Sequence, residues 1–230
     1  MLGKLATSMY SMNSSLKRTL IATGLLVVAV LFAASTTPAQ TYFNLTVDHC
    51  SPNPPGGCGP QASFGTVKLT QAGASVDVST TLSNGNLFAN TGLYAMTFDI
   101  NSAKTGVTVS SLLPTWATFL TGIPLHQDGF GTFPYGIDCT GCGPGASTAS
   151  TNGNTLTFSA TATGGLTIAD FISNGNAYFT ADIISGTSNL TGSVGSTGPF
   201  SPAPEPASIL LFGTGLLLVG TVFRRRLLSA

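Results

Sequence analysis

Residues 40–200 predict an all-β domain, an antiparallel β-sandwich or jelly roll, on three observations. Short runs alternate apolar and polar side chains, the period of two that a half-buried strand requires. The runs are rich in β-branched and aromatic residues, which fit a pleated surface. Glycine and asparagine separate them at short intervals, and the stretch of about 167 residues from 40 to 206 suits one core rather than two.

In chain order the strand signals are Val67-Lys68-Leu69, Val76-Asp77-Val78, Tyr94 to Ile100 and Val107-Thr108-Val109. They continue with Phe130 to Phe133, Leu156 to Ala160 and Phe179 to Ile183. Asn-Gly-Asn occurs at 84–86, 152–154 and 174–176, each time after Ser or Thr. Asn-Gly favours tight turns because both residues tolerate positive φ, so these are expected to join strands rather than bind ligands. Gly165 to Ser173 is the one place where a short helical turn is expected. Roughly seven to nine strands at this spacing, without a repeat of 20–50 residues, point to a sandwich and away from a solenoid.

Charge is distributed unevenly. The 230-residue chain sums to zero, with eight basic and eight acidic residues. Six of the basic ones, Lys4, Lys17, Arg18 and Arg224 to Arg226, lie at the two ends. Residues 40–206 therefore hold Lys68 and Lys104 against eight acids, a balance of −6. Phosphate binding needs clustered Lys and Arg, so a nucleic-acid partner is excluded. At 7% charged and 43% apolar the chain is neither a coiled coil nor disordered throughout.

Residues 1–39 have the order of a secretory signal peptide. Lys17 and Arg18 precede an uncharged run from Leu20 to Ala34, and Ser35-Thr36-Thr37-Pro38-Ala39 supplies small residues for cleavage after Ala39. Met12 offers an alternative start, and a retained N-terminal anchor is the competing reading. This predicts Sec machinery and signal peptidase as partners. At the other end Ala207 to Phe223 runs seventeen residues without charge before Arg224-Arg225-Arg226. As a helix it would be about 26 Å long, near the lower limit for a membrane span. The arginines would stop transfer and stay cytoplasmic.

Pro204-Glu205-Pro206, this apolar segment and the arginine cluster, in that order, resemble the PEP-CTERM sorting signal of exported bacterial proteins. The resemblance spans residues 201–230 and implies exosortase, a membrane-embedded transpeptidase-like enzyme, as the partner that processes the chain near Pro204-Glu205-Pro206. Prolines on both sides of Glu205 hold the backbone extended, which suits presentation to such an enzyme. The domain body, in Ser63 to Gln71, Thr91-Gly92-Leu93, Gly129 to Phe133 and Ile137-Asp138-Cys139, is similar to ectodomains that precede this signal, a likeness that implies no particular activity. An inner-membrane precursor, then a cell-envelope, cell-surface or extracellular-matrix product, is the expected itinerary.

Four cysteines fall in the exported part: Cys50, Cys58, Cys139 and Cys142. An even number in an oxidising compartment favours disulfides. Local pairing, Cys50 with Cys58 and Cys139 with Cys142, needs no long-range contact and is the expectation, although crossed pairing would constrain the unfolded chain by about 1–2 kcal/mol more per bridge. A four-thiolate zinc site is the sharper alternative. Cys139 and Cys142 have its two-residue gap, but Cys50 and Cys58 do not. A thioredoxin-like role needs a helix at Cys139, which Gly143-Pro144-Gly145 denies.

No cofactor or metal is expected, and no enzyme. The histidines are His49 and His126, no Gly-x-Ser-x-Gly elbow occurs, and Glu205, the sole glutamate, belongs to the sorting signal. Acid–base work would fall to Asp48, Asp77, Asp99, Asp128, Asp138, Asp170 or Asp182. Asp77, Asp99 and Asp182 occupy polar strand positions, for which a solvated face is the expectation. Trp116, the only tryptophan, is expected to cap the sandwich core, and the alternative is a stacking platform for sugar rings formed with Tyr135 or Phe133. Ser and Thr number 43 in residues 40–206, a surface suited to polysaccharide. The sequence thus predicts an exported, non-enzymatic envelope or exopolysaccharide-matrix protein, with a carbohydrate-binding module as the alternative.

Overall fold

A computed structural model of the chain describes residues 38–50, 57–91, 94–115, 117–139 and 153–200, together with Gly215. Its strands are β1 (Gln40–Leu45), β2 (Val47–Cys50), β3 (Gly65–Ala72), β4 (Ser75–Leu82), β5 (Leu87–Phe88), β6 (Met96–Ile100) and β7 (Thr108–Leu113). They continue as β8 (Ala117–Gln127), β9 (Gly131–Cys139), β10 (Thr155–Thr161), β11 (Phe171–Ile172), β12 (Phe179–Ile184), β13 (Thr191–Ser196) and β14 (Pro199–Phe200). All the pairings are antiparallel. The expected helical turn is a single 3-10 turn, Ile168–Asp170.

Two sheets result. The first runs β14-β1-β3-β4-β10-β7, and the second β2-β13-β12-β6-β9-β8, with β11 beside β6 and β5 beside β12. Period two decides which side chains meet. Phe43, Leu45, Val67, Leu69, Val76, Val78, Leu156 and Phe158 of the first sheet share one buried cluster with Met96, Phe98, Ile100, Ile137, Phe179, Ala181, Ile183 and Val194 of the second. The arrangement is sandwich-like. Phe98 is its hub, with ring centroids 5.6 Å from Phe158, 5.9 Å from Phe171 and 6.4 Å from Phe179.

The Asn-Gly turns at 84–86 and 174–176 join strands, but not as two-residue hairpins, while Asn152 of the third lies outside the described residues. Asn84 and Gly85 take φ of 57° and 75°, and Asn86 N–H closes the turn on Ser83 O. The chain then passes from β4 in the first sheet to β5 in the second, because β5 pairs with β12. Asn86 is fully buried and donates to Gln61 Oε1 and Phe64 O while accepting from Gly186 N–H. The true two-residue hairpin is Gly73-Ala74, between the paired Ala72 and Ser75.

The region from Ala207 to Phe223 lies outside the described residues except for Gly215, which is helical, and residues 1–37 lie outside them too. Among the described residues no helix is long and apolar enough to cross a membrane.

Candidate functional site

Strand β12 is buried along its whole length. One face lies in the core. The other, with Thr180 and Asp182, is covered because the far end of the β8–β9 hairpin folds over the outer face of the second sheet. A register shift between Thr121 and Leu125 marks the bend. Beyond it Leu125, Gln127, Phe130 and Phe133 are all buried. Phe130 meets His49 edge-on at 4.7 Å and forms a second apolar cluster with Phe133 and Ala177, against which Val47 packs. Two glycines make room: a Cβ at Gly195 would collide with the Phe130 ring, and one at Gly136 would meet Leu125 Cδ1 at 2.6 Å. The turn at 174–176 ties the hairpin down, Asn174 Nδ2 donating to Phe130 O and Thr132 O and Asn176 Nδ2 to Phe130 O.

Beneath this cover lies a polar layer. Thr97 and Thr180 share a hydroxyl hydrogen bond of 2.6 Å. Gln127 donates to Tyr94 O and accepts from Ser193 Oγ. Thr91 donates from N–H and Oγ1 to Asp182 Oδ2 at 2.7 and 2.8 Å. Among the described residues Asp182 Oδ1 has no hydrogen-bond partner. The expected solvated face therefore holds for Asp77, which is exposed, and fails for Asp182, whose exposure is 0%. Burial pushes the Asp182 carboxyl up to about 6 against the hydrogen bonds from Thr91, and the charge of Asp128 raises it further. Asp99 is half-buried, and desolvation raises its carboxyl as well. Burial would also raise Asp170, but hydrogen bonds from Thr167 and the ammonium of Lys104, 3.2 Å away, hold it below the ordinary value.

His49, Ser193 and Asp182 stand on neighbouring strands, His49 and Asp182 each paired with Ser193 in register. Serine occupies the middle, and its hydroxyl donates to Gln127 rather than to the imidazole. A nucleophile–base–acid relay needs the histidine between the other two. His126 and Asp128 lie 3.5 Å apart on the exposed hairpin tip.

Cys50 and Cys58 form a disulfide with Cα atoms 5.4 Å apart, which excludes crossed pairing and the four-thiolate zinc set. Asp48 brackets the bridge, accepting from Cys50 N–H at 2.8 Å and Cys58 N–H at 3.1 Å. Asp48, Cys50 and Cys58 gather ligand-type atoms within 4.8 Å, but both sulfurs are committed to each other. Cys139 is also disulfide-bonded, while Cys142 lies outside the described residues.

The described residues place two of the three stacking candidates. Phe133 is fully buried in the second cluster, so its ring cannot meet a polymer. Tyr135 is half-buried with its ring 5.9 Å from Phe98 and 6.3 Å from Phe119, engaged with the core edge. Burial raises its phenol first, and the charge of Asp99 adds to this. Trp116 lies outside the described residues. A shallow groove beside Tyr135 is lined by Thr121, Ile123, Pro124, Thr132 and Pro134.

The described part is thus an all-β domain of antiparallel sheets with a disulfide-closed loop. Its destination is written in the tail: the chain carries the PEP-CTERM protein-sorting motif, whose family model matches residues 202–226. The match covers Pro204-Glu205-Pro206, the apolar segment and Arg224 to Arg226, which except for Gly215 lie outside the described residues. It implies exosortase as the processing partner and export through the membrane to the cell surface. No curated protein and no solved structure matches the chain.

Proposed function

We propose that the protein is a non-enzymatic structural component of a bacterial cell envelope or exopolysaccharide matrix, delivered by its two ends. Residues 1–39 bring the chain to the Sec machinery and are removed by signal peptidase. Residues 207–223 halt it in the membrane, Arg224 to Arg226 fix its orientation, and Pro204-Glu205-Pro206 presents the processing site to exosortase. The observation that carries this reading is the sorting-motif match over residues 202–226. The non-enzymatic part is supported by the sealed outer layer, where Asp182 is shielded from solvent and Ser193 is committed to Gln127.

The test replaces Pro204, Glu205 and Pro206 by alanine in an exosortase-positive host. The C-terminal segment is expected to stay attached and the protein to accumulate in the membrane fraction. Removal at the unaltered rate would refute the assignment. A carbohydrate-binding surface is the second reading, favoured by the groove beside Tyr135. It predicts retention on a polysaccharide column that Tyr135→Ala abolishes.

A further inference from the structure

The two sheets treat their outer hydroxyls in opposite ways. On the second sheet they are covered and paired within the molecule, Thr97 with Thr180 and Ser193 with Gln127. On the first sheet the apolar side chains of β1, β3, β4 and β10 turn into the core, so the alternate positions form an open face. Thr70, Ser79, Thr157 and Ser159 stand there half-buried, and none of their hydroxyls has a hydrogen-bond partner among the described residues.

One row crosses all six strands of this sheet. By register Phe200 stands opposite Tyr42, Tyr42 opposite Lys68, Lys68 opposite Ser79, Ser79 opposite Thr157 and Thr157 opposite Leu113. Strands about 4.8 Å apart make the row about 24 Å wide. Its two ends are apolar. Phe200 and Tyr42 meet with ring centroids 5.8 Å apart, and Lys68 Nζ lies 5.9 Å over the Tyr42 ring. Leu113 is 57% exposed and borders a shallow hollow with Pro114, Thr115, Thr155 and Thr157.

We propose that this face binds a neutral polysaccharide, laid across the strands from Phe200 and Tyr42 to Leu113. The chemistry of the row selects that occupant. A hydroxyl without a partner both donates and accepts, as a sugar hydroxyl does, and the strand spacing is close to the length of one pyranose unit in an extended glycan. Each strand therefore meets one sugar, while the apolar ends pack against the C–H faces of rings. A protein partner would need aromatic anchors at the centre of the patch, where serine and threonine stand instead. An acidic polymer would need clustered cations. Only Lys68 in the row is charged, Asp77 two residues along β4 from Ser79 is exposed, and residues 40–206 sum to −6. The face shares no residue with the groove beside Tyr135, and its chemistry is independent of the sorting signal.

The full chain in detergent, run through native gels that contain dextran, galactomannan or hydroxyethylcellulose, tests this, with alginate as the acidic counterpart. At least one neutral polymer is expected to retard the chain, and alginate is not. Phe200→Ala should weaken the affinity about tenfold by removing the stacking surface. Ser79→Ala combined with Thr157→Ala should weaken it about threefold or more, at solvent-facing positions whose replacement leaves the circular dichroism spectrum unchanged. Tyr135→Ala should leave the affinity intact. Unretarded passage through all three neutral gels, retardation by alginate as strong as by the neutral polymers, or retardation that neither face variant weakens would each overturn the proposal. Loss with Tyr135→Ala alone would overturn it too and place the contact in the groove.

Discussion

Between the sheets, Phe98 meets aromatic rings from β9, β10, β11 and β12, and side-chain hydrogen bonds are few, the buried Thr80 hydroxyl donating to Met96 Sδ. On the outer face of the same β12, one residue along, Thr180 and Asp182 are as fully buried but sit among hydroxyl, amide and carboxylate groups. The first region is held by area removed from water and tolerates imprecise partners. The second is held by exact pairings and is penalised wherever one is missing. Burial alone therefore does not rank the two layers, and substitutions separate them.

Phe98→Ala is expected to have the largest effect, a loss of about 3–5 kcal/mol in urea unfolding, because it removes the ring that bridges both sheets. The loss should be the same at pH 4 and pH 8. An effect below about 1 kcal/mol would mean the sheets do not depend on their shared cluster.

Asp182→Asn should act in the opposite direction. The folded carboxyl, pushed up to about 6, holds its proton more tightly than the unfolded one near 3.8. The resulting stability is fully present below the unfolded value and is lost as pH rises through about 6. The loss is on the order of 3 kcal/mol. Thermal melts from pH 4 to pH 8 should show this decline in the unaltered chain and a flatter profile in the variant. Equal slopes would show that Asp182 does not titrate in this range.

The smallest effect is expected at the hydroxyl pair. Thr97→Val alone should cost about 1–2 kcal/mol, because Thr180 Oγ1 is left without its partner, while Thr97→Val with Thr180→Val should return most of that. A double variant as weak as the sum of the singles would show that the pair is not coupled.

The core was legible in the sequence because strands such as β3, β4 and β10 show one face to the core and one to solvent, so their alternation is visible. The outer layer was not. Asp182 follows Ala181 in the alternation of an open face, and only the fold-back of a hairpin more than forty residues earlier buries it. Strand β13, Thr-Gly-Ser-Val-Gly-Ser, has no strand signature because its glycines serve close approach, Gly195 lying under the Phe130 ring. The same hairpin carries Phe133, an optional stacking partner by sequence, inward to the second cluster. The sorting motif was fully legible, since its recognition depends on local order along the chain.

The pairing of β2 has a consequence in time. Among the described residues its only neighbour is β13, with Cys50 opposite Gly192 and Val47 opposite Gly195, and β1 likewise gains β14 at Tyr42 and Phe43. The first strands of the domain are thus completed by its last part, across more than 140 residues of intervening chain. Such distant closure is slow, and an early fragment has no stable shape to fall into. The domain's first strands therefore wait without their partners until its last strands have been made.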